Sequence, residues 1–226
     1  MVQPLATKLP WMTTVGNHEV DTSANSLKLA SGGDSGGECG VATLKRFPHY
    51  PSLDEMWYSF SFGTVHCIML SSEHPAKEQV AFFESDMAAL DRKVTPWVLV
   101  FMHRPLFASE SRDALDKSLA SEWHGRFVAH GVDMVLNGHA HYYERLCAVD
   151  TETSCASGRD RPVYVIDGSA GAEFDPTHTP PSVISEFKDF SNWGYSRIAV
   201  TTKALTFTHY RTNNTAVDEV TLPSVF

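Results

Sequence analysis

Side chains that bind transition metals follow three apolar segments of this chain. They are Asn17 and His18 after "WMTTV", His103 after "PWVLVFM", and His139 and His141 after "VDMVL". Imidazole and amide groups suit Zn, Fe or Mn, and a binuclear site would also need carboxylates to bridge its two ions. These residue types therefore indicate metal chemistry.

The spacing of these residues along the chain matters more than their number. With 11 histidines in 226 residues, a His-x-His pair arises by chance about half the time, and solvated loop histidines are the alternative interpretation. In open α/β sheets, however, ligands bind beyond the carboxyl ends of the strands. Because three predicted strands each end in such side chains, we expect them to meet at one edge of a sheet.

The order of the predicted elements indicates an α/β fold. "MWYSFSF" and "VHCIMLSS" predict a hairpin around Gly63-Thr64. Apolar residues at helical spacing predict amphipathic helices over 75–93 and 113–131. "PWVLVFM" is apolar throughout, as a strand buried on both faces should be. A long loop is expected over 21–55, and a β-rich, mostly antiparallel tail follows the last of the three strands.

Composition narrows the classes of partner. A hydrophobic fraction of 42% supports a buried core, here expected in a single domain over 1–226. The net charge of −9 argues against a nucleic-acid partner. There is no run of 18 apolar residues, so we expect no membrane partner. Residues 1–10 also lack the apolar segment of a signal peptide.

Four cysteines are too few for a disulfide scaffold. Cys147 and Cys155 flank a polar stretch of hairpin-loop character and could pair across it, whereas Cys39 and Cys67 are expected to stay separate. Asn213 begins an Asn-Asn-Thr glycosylation sequon, which adds slightly to a secretory interpretation.

The motifs "VGNHE", "VFMH" and "NGHAHYYER", in this order, resemble those of the metallophosphoesterase superfamily and, within it, the purple acid phosphatases. The likeness extends to "GGECG", "MWYSFSFG", "HRPLF" and "WGYSRIAV" and covers nearly the whole chain. It implies part of an α-β-β-α sandwich with mixed sheets and a β-rich C-terminal tail. It also implies Fe³⁺ plus a divalent ion (Zn²⁺, Mn²⁺ or Fe²⁺) and small phosphate monoesters as substrates.

The resemblance also implies individual roles. Asn17, His103 and His139 would be ligands of the divalent ion, and His141 a ligand of the ferric ion. After attack of a metal-activated hydroxide on phosphorus, His18 would protonate the leaving alkoxide, with Asn17 and His18 contacting the phosphate. The alternative for His18 is a histidine that only supports the site. Structural roles are expected for the neighbouring residues Glu19, Tyr143, Glu144 and Arg145.

The family pattern also includes two motifs upstream of "VGNHE", Gly-Asp-x-Gly and Gly-Asp-x-x-Tyr, which supply carboxylates and a tyrosinate. The residues before Gly16 contain neither Asp nor Tyr. Gly33-Asp34-Ser35-Gly36 mimics the first motif but follows Gly16, so we interpret it as a coincidental match. We therefore expect an N-terminally incomplete catalytic domain that binds two metals poorly.

The leading functional hypothesis is an acid phosphatase, that is, a binuclear metallohydrolase of phosphate monoesters. The alternatives are a catalytically inactive remnant with a vestigial metal site and a phosphodiesterase of the same superfamily. The likeness and the sequon predict a secreted or a vacuolar or lysosomal location for the full-length protein.

Overall fold

The computed structural model describes residues 3–20, 35–109, 114–151, 153–158, 160–175 and 182–225. Its helices are α1 (Gln3–Ala6), α2 (Val41–Arg46), α3 (Ala76–Ala89) and α4 (Ala114–Ala129). Its strands are β1 (Tyr58–Phe62), β2 (Val65–Met69), β3 (Trp97–Phe101), β4 (Met134–Asn137), β5 (Tyr143–Thr151), β6 (Ser154–Cys155), β7 (Val163–Asp167), β8 (Ser185–Asp189), β9 (Gly194–Val200), β10 (Ala204–Arg211) and β11 (Ala216–Pro223).

The main sheet has the strand order β1-β2-β3-β4-β7-β5-β6, with β8 also paired to β5. Strands β2, β3, β4 and β7 are parallel neighbours, whereas β1 and β5 run antiparallel to β2 and β7. Helices α3 and α4 connect β2 to β3 and β3 to β4, as parallel neighbours require. The predicted α/β class with a mixed sheet is therefore confirmed.

The main sheet is covered on both faces. On one face, the apolar sides of α3 and α4, including Phe83, Trp123 and Phe127, pack on β2, β3 and β4. On the other face, the antiparallel sheet β11-β10-β9 packs Leu205 and Phe207 against the opposite side chains of the same strands. Because both faces are buried, β3 is a continuous apolar run, and β2 is apolar except for His66, which pairs with Asp86 at 2.7 Å.

Three local expectations need correction. Residues 11–15 form no strand; instead the Thr13 N–H donates to the Tyr58 hydroxyl at 3.0 Å and the Thr14 hydroxyl donates to the Leu70 carbonyl at 2.8 Å. Within the predicted loop over 21–55, α2 is helical, and 21–34, including the Gly33-Asp34 match, lie outside the described residues. In the predicted antiparallel tail, β7 pairs parallel with β4.

None of the helices in the described part of the chain is both long and apolar enough to cross a membrane.

Candidate metal centre

The carboxyl ends of β3 and β4 hold the two central histidine segments side by side. The Gly138 N–H donates to the His103 carbonyl at 2.9 Å, and the buried Asn137 amide donates to the Met102 and Arg104 carbonyls, both at 3.0 Å. These bonds fix the segments after the two strands relative to each other. The parallel pairing of β3 with β4 thereby brings together residues 36 positions apart.

Asn17 is brought to this edge by a tight turn. The Glu19 and Val20 N–H groups donate to the Gly16 carbonyl at 3.0 and 3.1 Å, and the Glu19 carboxylate accepts from the Gly16 N–H at 3.0 Å. A Cβ on Gly16 would lie 2.7 Å from the His103 ring, so only glycine lets the turn approach this closely.

Three predicted ligands of the divalent ion converge through their donor atoms. Asn17 Oδ1 lies 2.7 Å from His103 Nε2 and 3.2 Å from His139 Nδ1, and the two ring nitrogens are 3.1 Å apart. His139 has a backbone φ of 64°, in the left-handed region that non-glycine residues seldom adopt. Such strained conformations concentrate at functional sites because the surrounding structure must hold them.

A buried ion pair lies behind His139. Arg104 Nε donates to the Glu73 carboxylate at 2.9 Å, and both side chains are almost fully buried. Arg104 Nη1 lies 3.2 Å from His139 Nε2. Since a guanidinium can only donate, Nε2 must accept, and the His139 proton then lies on Nδ1, facing Asn17. Metal binding at Nδ1 would displace this proton, as it does at histidine ligands in general.

The surroundings of His103 keep its ring neutral. Burial, reinforced by the neighbouring His139 and Arg104 charges, lowers the pKa of His103 to about 3. His18 and His141 also lie close enough for their charges to lower this pKa. A neutral imidazole is the form that binds a metal, so His103 is in the ligand form over the whole mildly acidic range.

His141 is oriented by the loop that follows β7. Its Nδ1 lies 2.9 Å from the Glu173 carbonyl, which can only accept, so Nδ1 carries the proton and the Nε2 lone pair is the one suited to a metal. The His141 N–H donates to the Asp175 carboxylate at 2.5 Å. His18 lies beside Asn17 on the turn and is exposed, whereas Asn17 is half-buried.

The donor set can be tested against a metal ion. Ligand bonds to zinc of about 2.0–2.2 Å place the ligand atoms of a tetrahedral site about 3.3 Å apart. The three converging donors are 2.7–3.2 Å apart, so they fit one shared ion. The residue of this chain that is predicted to bind the ferric ion is His141. The described residues contain no cluster of three or more His, Cys, Asp or Glu side chains able to hold a metal.

The rest of "NGHAHYYER" ties the site to the second sheet. The Tyr143 hydroxyl donates to Asp218 at 2.7 Å, and Arg145 donates two bonds to the same carboxylate at 2.7 and 2.9 Å. Glu144 is fully buried, with its carboxylate 3.4 Å from Lys188 Nζ.

The other candidate residues lie away from the centre. Cys147 and Cys155 form a disulfide, while Cys39 and Cys67 are free thiols. Asn213 lies in the exposed turn between β10 and β11.

Several residues of the site were not singled out from the sequence. Arg104 and Glu73 stand in "HRPLF" and "SSEH", but nothing in those letters shows that the two side chains meet across 31 positions. Glu173 and Asp175 orient His141 from a loop more than 30 residues away. These residues have one feature in common in the sequence: each is a charged side chain that follows a buried strand. Which side chain each of them contacts depends on the order of the strands in the sheet.

Two family models match this chain. Residues 1–143 match the model described as "Calcineurin-like phosphoesterase", and residues 161–219 match "Iron/zinc purple acid phosphatase-like protein C". The first match ends at Tyr143, just beyond the converging histidines, and the second runs from β7 through β10 and into the first half of β11.

Relatives of known sequence and structure agree with these matches. The chain is similar to purple acid phosphatase 22 of Arabidopsis thaliana, at 29% identity over 100% of this chain and 52% of the relative. It is similar to probable inactive purple acid phosphatase 9 of the same plant, at 28% identity over 97% and 39%. It also resembles the structure of purple acid phosphatase PPD1 from yellow lupin seeds, with a TM-score of 0.87, 26% identity and coverage of 98% and 42%.

The chain thus spans about half or less of the length of these relatives. The predicted resemblance is confirmed by the family models and by the lupin fold. The chain belongs to the calcineurin-like phosphoesterase family and, within it, to the purple acid phosphatase type.

Proposed function

We propose that this chain carries part of a binuclear metal centre that hydrolyses phosphate monoesters. The observation that supports this most is the convergence of Asn17, His103 and His139, whose donor atoms lie within 3.2 Å of each other although they come from three separate segments. These three side chains would hold the divalent ion, and His141 would contribute to the site of a ferric ion. Zn²⁺, Mn²⁺ and Fe²⁺ all suit the nitrogen and oxygen donors of the first site.

Each residue has a separable part in the proposed reaction. Bound metal ions supply positive charge to the phosphoryl oxygens and lower the pKa of a water molecule. Asn17 and His18, at the exposed end of the turn, would contact the phosphate. His18 would donate a proton to the leaving oxygen, since a histidine can be cationic at mildly acidic pH. The neutral ring of His103 and the Glu173 contact of His141 keep both ligands in their binding form.

Zn²⁺ binding tests the first site directly. We expect His103→Ala to weaken Zn²⁺ binding by more than about tenfold, measured by competition with a chromogenic chelator. Removing a residue that only hydrogen-bonds to a metal ligand already costs about tenfold in affinity, and His103 would be a ligand itself. His130→Ala is the matched control, because His130 pairs with Glu84 between α3 and α4 and touches no predicted ligand. Equal Zn²⁺ affinity in wild type and His103→Ala would contradict the proposed site.

Substrate assays separate the alternatives. Metal-dependent release of p-nitrophenol from p-nitrophenyl phosphate, but not from bis-p-nitrophenyl phosphate, is expected for a monoesterase. The reverse preference would support the phosphodiesterase alternative. Zn²⁺ binding without hydrolysis of either compound would support a non-catalytic metal site, an alternative that the "probable inactive" relative keeps open.

A further inference from the structure

A serine, a histidine and an aspartate form a hydrogen-bonded series at the edge of the main sheet. Ser61 Oγ lies 2.9 Å from His66 Nδ1, and His66 Nε2 lies 2.7 Å from Asp86 Oδ2. We call these three side chains the edge triad. It lies at the start of β2, at the opposite end of the sheet from the candidate metal centre, which follows the carboxyl ends of β3 and β4.

The direction of the two hydrogen bonds follows from the groups that make them. An ionised carboxylate can only accept, so His66 Nε2 carries the proton and donates to Asp86. His66 Nδ1 then has the lone pair and accepts from the Ser61 hydroxyl. Ser59 donates to the other oxygen of Asp86 at 2.8 Å, which holds the carboxylate in place. A hydroxyl bonded to a histidine that a third group orients is the arrangement of an activated nucleophile.

Exposure differs along the edge triad in the way that this chemistry needs. Ser61 is exposed, whereas the side chains of His66 and Asp86 are 7% and 19% exposed. A reagent from solvent can therefore reach the hydroxyl, while the base and the carboxylate are largely shielded from water. Shielding strengthens the attraction between the carboxylate and the histidine cation that forms when the hydroxyl loses its proton.

The backbone supplies a hydrogen-bond donor beside the hydroxyl. The two-residue loop Gly63-Thr64 joins β1 to β2, and such a loop closes on a hydrogen-bonded pair, here Phe62 and Val65. The next pair, Ser61 and His66, is then non-hydrogen-bonded, so the Ser61 N–H points away from β2. Since β1 is the last strand in the described part of the sheet, this N–H lies at an open edge. There it can donate to an oxyanion that forms on a group bonded to the hydroxyl.

A groove between β1 and α3 opens beside the edge triad. It has a volume of about 450 Å³ and is lined by Ser59, Trp57 and Phe82, with the carboxylates of Glu55 and Glu78 at its walls. Ser59 and Ser61 lie on the same face of β1, about 7 Å apart at the usual rise of a strand. The groove can thus hold the apolar part of a group bonded to Ser61, and its carboxylates disfavour anions.

We propose that the edge triad is a second reactive site, which transfers the acyl group of small uncharged or cationic esters to Ser61 and then to water. As His66 Nδ1 takes the hydroxyl proton, the Ser61 oxygen forms a bond to the carbonyl carbon of the ester. The C–O bond of the ester then breaks, and the leaving alkoxide takes the proton from His66. Water, deprotonated in the same way, attacks the acyl group, releases the carboxylic acid and restores the Ser61 hydroxyl. The reaction needs no metal ion.

Labelling with a fluorophosphonate tests the nucleophile. This reagent phosphonylates a serine that a base activates, with loss of fluoride, and the product can be mapped by mass spectrometry. In EDTA, which removes metal ions, we expect one phosphonyl group per chain, on the peptide that contains Ser61. Ser61→Ala should abolish the labelling. Asp86→Asn, which retains an acceptor for His66 but no charge, should slow it on the order of 100-fold. Urea unfolding verifies that both variants are folded.

Ser121→Ala is the matched control. Ser121 is also an exposed serine, but its hydroxyl donates to the Ser118 carbonyl at 2.8 Å rather than to a histidine. Its replacement should leave the labelling rate unchanged. Labelling of Ser61 at equal rates in wild type and Asp86→Asn would overturn the proposal, because that is the behaviour of a serine that is only exposed. Absence of label on Ser61 would overturn it as well.

Two esters of matched length test the substrate class. p-Nitrophenyl hexanoate is uncharged, whereas mono-p-nitrophenyl adipate carries a carboxylate that Glu55 and Glu78 would repel. In EDTA, we expect a higher kcat/KM for the hexanoate and no activity of Ser61→Ala on either ester. Equal values for the two esters would overturn the assigned class. Because these assays contain no free metal ion, their outcome does not depend on whether the candidate metal centre hydrolyses phosphate esters.

Discussion

At the residue scale, two adjacent side chains of one turn have different surroundings. Asn17 is half-buried and lies within 3.2 Å of both His103 and His139, as a ligand should. His18 is exposed, as is needed for a group that exchanges its proton with solvent and reaches a substrate. The two neighbouring side chains thus differ in burial and contacts, which fits the different roles proposed for them and which their sequence proximity does not indicate.

Replacement of His18 should affect substrates according to their leaving group. If the wild-type protein hydrolyses phosphate esters, we expect His18→Ala to lower its kcat/KM for glycerol phosphate on the order of 100-fold. The reason is that an alkoxide leaving group needs a proton as it departs. The loss for p-nitrophenyl phosphate should be much smaller, because nitrophenolate leaves without one. Equal losses for both substrates, measured as initial rates, would instead indicate a supporting residue.

At the element scale, the turn at Gly16–Glu19 must lie against the end of β3. Its position depends on the absence of a side chain at Gly16, where a Cβ would lie 2.7 Å from the His103 ring. The turn is otherwise fixed by its own hydrogen bonds, through the Gly16 carbonyl and the Glu19 carboxylate. The distance between Asn17 and His103 is therefore set by a glycine that contacts no metal.

We expect Gly16→Ala to weaken Zn²⁺ binding by about tenfold or more, because either the turn or the His103 ring must move. The measurement is the same chelator competition. Gly125→Ala is the control: a Cβ there meets nothing within 4 Å, in the interior of α4. That change should leave Zn²⁺ binding unaltered and raise the free energy of unfolding by about 0.5–1 kcal/mol. Unchanged Zn²⁺ affinity in Gly16→Ala would show that the turn does not limit the site.

At the scale of the whole molecule, carboxylates join the two sheets. Asp218 of β11 accepts three hydrogen bonds from Tyr143 and Arg145 of β5, and Asp189 of β8 accepts from Arg211 of β10 at 2.8 Å. Burial alone would raise the pKa of Asp218, but the hydrogen bonds from Arg145 and Tyr143 outweigh it, and this pKa is lowered. The second sheet is thus attached to the segment that carries the proposed metal ligands His139 and His141 by contacts that require ionised carboxylates.

This arrangement predicts a pH-dependent contribution to stability. Because the pKa of Asp218 is lower in the folded state, the unfolded chain takes up the proton first as pH falls, and the contribution is lost below about pH 4. We expect Asp218→Asn to reduce the free energy of unfolding by about 2 kcal/mol at pH 7, measured by urea denaturation. The difference from wild type should shrink as pH falls below about 4, because the unfolded chain then takes up a proton that folded Asp218 does not.

Asp160→Asn is the matched control for this change. The Asp160 side chain is 70% exposed and pairs with Arg161 on the surface, so its removal should alter stability by less than about 0.5 kcal/mol at any pH. A difference between Asp218→Asn and wild type that persists undiminished at pH 3 would contradict ionic attachment of the sheets.

The sequence by itself determined much of the architecture. Apolar periodicity predicted α3 and α4, a continuous apolar run predicted β3, and the two segments around Gly63-Thr64 predicted the hairpin of β1 and β2. These signals depend only on residues that are near each other in the sequence. The residues Asn17, His103 and His139 could also be picked out, since each follows an apolar segment and has a metal-binding side chain.

Only the tertiary structure decided which of these residues meet and what holds them. Three contacts show this: the parallel pairing of β4 with β7, the Arg104–Glu73 pair behind His139, and the contacts of Glu173 and Asp175 with His141. All of them join positions about 30 to 35 residues apart. No local propensity encodes such contacts, because they exist only once strand order and sheet packing are set. Charged side chains such as Arg104 are ordinarily on the surface, so burial beside a ligand could be seen only in the folded chain.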